Sequence, residues 1–90
     1  MSSYSINLDE CEKSGVDIDR IKSIAKRLAK AALEAEGLGI QLFGGCGRAS
    51  LRFRDDHPSD TSLILAKIDG NWDGGAGDEK YDDEGLLRGE

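Results

Sequence analysis

One segment of about twenty residues has the spacing of an amphipathic helix, and it most constrains the fold this chain can adopt. Within residues 17–36, the apolar residues Ile21, Ala25, Leu28 and Ala32 recur at intervals of three and four. This spacing gathers them on one stripe of a helix, and the glycines that follow supply a C-terminal stop. At 1.5 Å per residue the helix is about 30 Å long, enough to cover one face of a small sheet.

The chain after this helix predicts three β-strands, at residues 40–43, 48–54 and 63–68. The second alternates strictly between apolar and polar residues, as expected of a half-buried strand. The third is a nearly continuous apolar run, which is typical of a strand covered on both faces. The glycine-rich link 44–47 predicts a hairpin connection. We therefore expect an α+β fold in which one amphipathic helix packs on a three- or four-stranded antiparallel sheet.

The fourth strand of that sheet would come from the N-terminus, where residues 4–8 alternate between apolar and polar side chains. A second interpretation is open, because Asn7 followed by Glu10 is a pattern that caps a helical turn. Further along, Ser14 and Asp17 resemble a capping box for the long helix, with Asp17 in the place of the usual glutamate.

The net charge of −6 is carried by the end of the chain. Residues 69–90 contain eight acidic residues against Lys80 and Arg88, which gives −6, so residues 1–68 sum to zero. We predict a compact α+β body at 1–68 and an acidic, glycine-rich tail or extended segment at 69–90. Three roles are open for the tail: a mobile solubilising segment, a segment that docks on a partner or on the chain itself, and a mimic of a phosphate backbone.

Several classes of function are disfavoured by composition. The sequence contains no apolar run of about 18 residues and no signal-peptide pattern, so we expect a cytoplasmic protein without a membrane span. Cys11 and Cys46 are too few for a disulfide framework, although their pairing stays open. His57, the only histidine, lies in a polar loop, and no nucleophile has an identifiable base. We therefore expect no enzymatic activity and no cofactor.

The arginines of the second predicted strand form the main candidate binding surface, because arginine suits bidentate recognition of carboxylate or phosphate. Regular alternation in the third strand places Leu63, Leu65 and Lys67 beside them and turns Ile64 to the other side. Arginine mixed with exposed leucine is typical of an interface, although charges also protect sheet edges from aggregation. With the tail included, the predicted partner-binding residues are Arg48, Arg52, Arg54, Leu63, Leu65, Trp72, Asp73, Asp78, Glu79, Tyr81, Asp82, Asp83 and Glu84.

The solvent side of the long helix offers a second basic surface. Lys22, Lys26 and Lys30 form one row with Arg27 beside it. This row is the alternative candidate for binding nucleic acid, although most helices that pack on sheets have an ordinary polar outer face. The overall charge of −6 disfavours nucleic acid as a partner.

A third candidate is a weak calcium site at the start of the tail. Asp69, Asn71, Asp73 and Gly74 occupy the first, third, fifth and sixth positions of a segment that resembles the EF-hand calcium loop. The twelfth position of that loop requires a bidentate carboxylate, and here it is Lys80. A turn that ends a strand explains the same residues, so no metal is predicted as the main interpretation.

Taken together, the sequence favours a non-enzymatic, small, acidic protein-binding module. A protein partner is expected, a homodimer is an option, and neither nucleic acid nor membrane is expected. Its small size and acidity are similar in bulk character to phage- or plasmid-encoded inhibitors of defence nucleases, and to antitoxin and immunity proteins. That similarity includes no shared motif. It suggests an inhibitor of a larger protein that handles nucleic acid.

Overall fold

The computed structural model describes residues 4–45, 47–74 and 77–89. These residues form two helices and two antiparallel sheets, one with three strands in the order β1-β2-β3 and one with the two strands β4 and β5. The predicted α+β class and the predicted three-stranded antiparallel sheet are therefore confirmed. The elements are α1 (Leu8–Ser14), α2 (Ile18–Gly37), β1 (Ile40–Gly45), β2 (Arg48–Arg54), β3 (Ser62–Asp69), β4 (Glu79–Tyr81) and β5 (Leu87–Gly89).

The chain divides into two compact units. The first, termed the hairpin unit, consists of Met1–Ala31 together with Ala76–Glu90, and contains α1, most of α2 and the β4–β5 hairpin. The second, termed the sheet unit, is Ala32–Gly75 and contains the end of α2 and the three-stranded sheet. Among the helices of the described residues, none combines the length and the apolar character that crossing a membrane requires.

The N-terminal segment forms a helix rather than an additional strand. Residues 4–7 belong to no strand, α1 starts at Leu8, and Gly15 closes it with a φ of +74°. The strand predicted at 4–8 is therefore wrong, and the helical alternative is correct. Asn7 occupies the N-cap position but makes no capping hydrogen bond through its side chain. Three alternating apolar residues are too few to distinguish a strand from the first turn of a helix.

The long helix is confirmed, with bounds of Ile18–Gly37 against the predicted 17–36. The carboxylate of Asp17 accepts a hydrogen bond from the Asp19 N–H at 3.0 Å, which is the geometry of an N-cap. Ser14 does not cap α2. Its hydroxyl donates to the Cys11 carbonyl and accepts from the Val16 N–H, so it belongs to the end of α1. The predicted capping box with Ser14 is therefore wrong.

The three central strands occur where they are predicted, and β2 lies between the other two. β1 extends two residues further than 40–43, and β3 extends one residue further at each end. The prediction that β3 is covered on both faces is wrong, because most of its side chains are exposed. An edge strand has a neighbour on one side only, and a continuous apolar run does not reveal which strand will be the edge.

A β-bulge interrupts the pairing of β2 with β3. Leu51 lies opposite Ala66, but the next residue, Arg52, lies opposite Ile64. Leu65 is therefore the extra residue of the bulge. The residues before and after Leu65 alternate between the two faces of the sheet, but the pairing of β3 with β2 shifts by one residue across Leu65.

The bulge reverses the faces predicted for two residues of β3. Leu63 lies opposite Phe53 on the apolar side of the sheet, and Ile64 lies opposite Arg52. The prediction that Leu63 lies beside the arginines is therefore wrong. A shift of one residue moves every side chain to the other face, and an all-apolar strand gives no pattern by which the shift can be detected.

The chain after β3 folds back against the connection between β1 and β2. The Gly47 N–H donates to the Trp72 carbonyl at 2.9 Å, and the Gly70 N–H donates to the Gly47 carbonyl at 3.3 Å. A Cβ added to Gly74 would lie 2.7 Å from the Gly44 carbonyl oxygen. This close backbone approach fastens the start of the predicted tail to the sheet unit.

Few side chains are buried within the described residues. They are Cys11 in the hairpin unit, and Ala35, Ala49 and Ser50 in the sheet unit. Cys11 is buried and has a free thiol, and Cys46 lies outside the described residues.

Candidate functional site

One face of the three-stranded sheet brings several cations together. Residues that lie opposite each other in adjacent strands share a face, so Phe43, Ser50 and Lys67 form a row across β1, β2 and β3. Arg52 lies in the next row, opposite Ile64. This surface is termed the arginine face, and its residues are Gln41, Phe43, Gly45, Arg48, Ser50, Arg52, Arg54, Ser62, Ile64, Lys67 and Asp69.

A shallow depression of about 280 Å³ opens on the arginine face. Three cations contribute to its lining, namely Arg48, Arg52 and Lys67, together with the Ser50 hydroxyl and the ring of Phe43. Within the described part of the chain, no carboxylate lines it. A concave surface of this composition attracts a group that is anionic and partly apolar.

Arg52 is held in place by two contacts within the sheet. Its Nε donates to the Ser50 hydroxyl at 2.9 Å, and its Cζ lies 4.5 Å from the centroid of the Phe43 ring. Neither contact uses the terminal Nη groups, which have no hydrogen-bond partner among the described residues. The guanidinium is therefore orientated before any ligand arrives, with two donors in the fork geometry that matches a carboxylate or phosphate.

The other cations of this region differ in how far they are neutralised. The Nε of Arg48 lies 3.1 Å from a carboxylate oxygen of Asp69, and Arg54 forms an ion pair with Asp60. Both pairs are largely exposed, so each contributes little to stability. Lys67 forms no ion pair within the described ranges. Arg52 and Lys67 are therefore the cations most available to a ligand.

The structure adds Phe43 and Ile64 to this side of the sheet. Ser50 and Lys67 follow from the alternation of their strands, although the predicted binding set omits them. The pairing of Phe43 with Ser50 could be derived from the tight hairpin predicted at 44–47. Once Gly45 pairs with Arg48, every later pair between β1 and β2 is fixed. The position of Ile64 depends on the bulge, and therefore could not be derived from the sequence.

The opposite face of the sheet contains no charged side chain at its paired positions. Leu63, which the sequence places on the arginine side, lies on this face and is about half exposed. Leu65, the extra residue of the bulge, is also exposed. The residues of this apolar face are Ile40, Leu42, Gly44, Ala49, Leu51, Phe53, Leu63, Ala66 and Ile68.

Asp82 organises the turn of the C-terminal hairpin. One carboxylate oxygen accepts hydrogen bonds from the N–H groups of Glu84 and Leu86, at 2.9 and 3.0 Å. The other oxygen pairs with the guanidinium of Arg88. The hydrogen bond from Arg88, followed by that from Leu86, lowers the pKa of Asp82, and Asp82 in turn raises the pKa of Arg88. Asp82, one of the predicted partner-binding residues, is thus engaged within the hairpin.

The same hairpin contacts α1 within its unit. The Leu87 N–H donates to the carboxylate of Glu10, and Lys13 forms an exposed ion pair with Glu84 at 3.7 Å. These contacts of the predicted tail are with α1. Tyr81 is 71% exposed. The acidic side chains that remain exposed in this segment are Asp78, Glu79, Asp83 and Glu84.

The basic row of α2 is exposed and has few internal contacts. Arg27 donates from its Nε to the Ser23 carbonyl at 3.3 Å. Neither Arg27 nor the lysines Lys22, Lys26 and Lys30 make an ion pair with another described residue. The structure therefore leaves this row accessible, as the sequence interpretation requires.

The candidate calcium ligands lie in a segment that makes other contacts. Asp69 is paired with Arg48, and the backbone at Gly70 and Trp72 is bonded to Gly47. Across the described residues, no three side chains of His, Cys, Asp or Glu come together in a way that could hold a metal ion. Asp73 lies against Gly44 through its backbone carbonyl, not through its side chain.

His57 belongs to a network of short contacts in the loop between β2 and β3. Its Nδ1 lies 2.6 Å from the Ser59 hydroxyl, which lies 2.8 Å from the Thr61 hydroxyl. These residues are two apart in the chain and exposed, and they do not line the depression on the arginine face. The contacts shape a turn, whereas a nucleophile and its base also require a cavity with donors for the oxyanion.

No family model, no curated protein and no solved structure matches this chain. Its function must therefore be inferred from the geometry and charge of the surfaces described above.

Proposed function

We propose that this chain is a non-enzymatic protein-binding module whose arginine face receives an acidic side chain of a larger partner. The observation that carries the proposal is the state of Arg52, which is fixed by Ser50 and Phe43 while its terminal nitrogens stay available. A fixed guanidinium loses little conformational entropy when it binds a carboxylate. Lys67 lines the same depression, so a second cation supports the same ligand.

The composition of the depression favours a protein as the partner over a nucleic acid. Phe43 and Ile64 are 46% and 53% exposed and offer apolar contact beside the cations. The net charge of −6 repels an extended phosphate backbone but allows a single carboxylate to approach a local basic site. A volume of about 280 Å³ suits one or two side chains.

The narrower form of the proposal is an inhibitor of a protein that handles nucleic acid. Its support is the second charged surface, the exposed acids Asp78, Glu79, Asp83 and Glu84 of the hairpin unit. Acidic side chains of this kind can occupy lysine and arginine clusters that otherwise bind phosphate. Such a partner would present both an acidic group to the arginine face and a basic surface to the hairpin.

The experiment is a comparison of two charge reversals on the same strand. Tagged wild-type chain, Arg52→Glu and Arg54→Glu are used to capture partners from the source cells, and the captured partner is purified for affinity measurement. Arg54→Glu is the matched control, because Arg54 is paired with Asp60 and does not line the depression. We expect Arg54→Glu to retain the partner and Arg52→Glu to lose it. Equal capture by both variants would reject the proposal.

A second candidate, direct binding of nucleic acid by α2, is favoured by the exposed row Lys22, Lys26, Arg27 and Lys30. Its test is fluorescence anisotropy of the full chain with labelled single- and double-stranded oligonucleotides, with Lys22→Glu/Lys26→Glu/Lys30→Glu as the comparison. Binding that weakens steeply with salt and is lost in the triple variant would support it. Binding that is absent, or unchanged in the variant, would exclude it.

A further inference from the structure

We infer that the partner contributes an extended segment that adds a strand beside β3, with an acidic residue flanked by two apolar residues. This inference rests on the proposed function, because it assigns the acidic side chain that the arginine face receives. It goes further in naming the backbone edge, the register and the sequence pattern of the segment.

β3 offers the more open edge of the sheet. The strand order β1-β2-β3 leaves one side of β1 and one side of β3 without a paired strand among the described residues. At β1, the chain at Asp73 and Gly74 lies against Gly44 and Gly45. Among the described residues of the sheet unit, no comparable segment lies against β3. Its outward N–H and C=O groups are therefore available to a strand from another chain, as in β-strand addition.

The bulge restricts where such a strand can pair. Leu65 interrupts the regular alternation, whereas Ala66–Asp69 pairs with β2 without a break. An added strand requires a regular run of backbone groups. We therefore assign the pairing to Ala66–Asp69.

The side chains of this run determine the sequence that fits beside it. Lys67 points to the arginine face and lines the depression, whereas Ala66 and Ile68 belong to the apolar face. A residue opposite Lys67 in an added strand shares its face, and its two neighbours share the apolar face. Charge complementarity with Lys67 requires an acidic residue at the central position. Contact with Ala66 and Ile68 favours apolar residues on either side.

Lys67 also favours a different chain over a second copy of this one. Lysine on an edge strand discourages edge-to-edge pairing of identical chains, because the like charges approach each other. An acidic segment neutralises the same lysine. The occupant assigned here is therefore a partner segment with the pattern apolar-acidic-apolar.

The test uses fluorescein-labelled, end-blocked peptides of sequence Thr-Val-Glu-Val-Thr with the full chain. Three peptides are compared: this one, its Glu→Lys counterpart, and a version with an N-methyl group on the edge-facing backbone nitrogen of one valine. We expect the Glu peptide to bind at least about tenfold more tightly than the Lys peptide. We expect N-methylation to remove most of the binding, because it removes a backbone donor.

A charge reversal on the protein provides the matched control. Lys67→Glu should weaken the Glu peptide and strengthen the Lys peptide. Lys80→Glu, on β4 of the other unit, should change neither. Because Lys67 is exposed, both variants should retain the wild-type circular dichroism spectrum.

Four outcomes would overturn the inference. If the N-methylated and unmodified peptides bind equally, but their affinity still depends on the Glu and on Arg52, strand addition is rejected and the proposed function is retained. If the Glu and Lys peptides bind equally, and Arg52→Glu does not change the affinity for the captured partner, then both the strand-addition inference and the proposed function are rejected. If the chain forms a dimer in sedimentation equilibrium and Ile68→Pro abolishes that dimer, a second copy of this chain occupies β3 and the assigned partner segment is rejected. No peptide binding at millimolar concentration rejects the assigned pattern.

Discussion

The three-stranded sheet and the C-terminal hairpin are both antiparallel, but different interactions stabilise them. The strands of the sheet have six to eight residues, so a long backbone ladder fixes their register. The strands of the hairpin have three residues each, and its turn depends on Asp82, which binds two amides and Arg88. A long ladder can form with many sequences of the right alternation, whereas a short hairpin depends on one side chain.

The two regions also differ in the availability of their charges. In the hairpin, Asp82 is satisfied by Arg88, and Glu84 is paired with Lys13. On the sheet, Arg52 has its terminal nitrogens available, although it is fixed by neutral neighbours. The acidic end of the chain carries more charge, but the best prepared single binding group is an arginine. Net charge therefore does not indicate which individual side chains are left available for contact.

The largest expected effect comes from placing a charge in the centre of the sheet. Ala49 is 6% exposed on the apolar face of β2, so Ala49→Asp would bury a carboxylate without a partner. We expect a loss of about 3–5 kcal/mol in the free energy of unfolding, measured by urea denaturation with Trp72 fluorescence. Thr61→Asp, an exposed loop change, is the control. An unchanged urea midpoint for Ala49→Asp would contradict the assigned burial.

A smaller loss is expected where the chain after β3 approaches β1. In Gly74→Ala the new Cβ would lie 2.7 Å from a backbone oxygen of Gly44, so one of the two segments must move. We expect a destabilisation of about 1–3 kcal/mol by the same measurement. Gly89→Ala is the control, because no atom lies within 4 Å of its added Cβ. Equal stability of the two variants would show that Gly74 does not pack on the sheet.

The hairpin should respond to acid through Asp82. Its pKa is lowered from the ordinary 3.8 by the hydrogen bond from Arg88, so the ionised form stabilises the fold. This contribution is fully present above the ordinary pKa and is lost as the pH falls through the lowered value. The amide shifts of Glu84 and Leu86 in an NMR titration should therefore report a midpoint below 3.8.

Asp82→Asn should abolish this titration and increase amide exchange in the turn several-fold. Asp83→Asn, the neighbouring change of the same chemistry, should leave both unaltered. A midpoint at or above the ordinary value for aspartate would disprove the assigned role of Asp82.

The smallest effect is expected from removing the bulge. Deleting Leu65 leaves Arg52 opposite Ile64 and Phe53 opposite Leu63, because the deleted residue has no partner in β2. We expect a change of less than about 1 kcal/mol in stability, since a regular ladder replaces the bulge. Deleting Lys67 instead shifts the register of the rest of β3 and should cost considerably more. Similar losses for the two deletions would argue against the bulge at Leu65.

The long helix and the three central strands could be predicted because each has enough residues to establish a period. The helix at Leu8–Ser14 was one of two interpretations, since its few apolar residues fit either period. The position of Ile64 could not be predicted, because a bulge in an apolar run has no sequence signature. The hairpin itself was not predicted, because its strands have three residues each, too few to establish a period, and nothing in the sequence indicates that Asp82 accepts from Leu86 and pairs with Arg88.

For the candidate site, the sequence identifies Arg52 but not what distinguishes it from Arg54. Both arginines follow the same alternation and have the same charge. The difference is made by Phe43 and Ser50, which orientate Arg52, and by Asp60, which pairs with Arg54. These contacts join residues from different positions in the chain, so they become visible only when the register and the loop are known.

The affinity of the captured partner for Arg52→Glu and Arg54→Glu tests the central claim most directly. Both variants replace one arginine of β2 by glutamate, so they change the net charge equally. We predict that Arg52→Glu raises the Kd by about a hundredfold, because it replaces an orientated donor by a repelling acid, and that Arg54→Glu changes the Kd by less than about threefold. Equal Kd values for the two variants would contradict the assignment of the depression around Arg52 as the binding site.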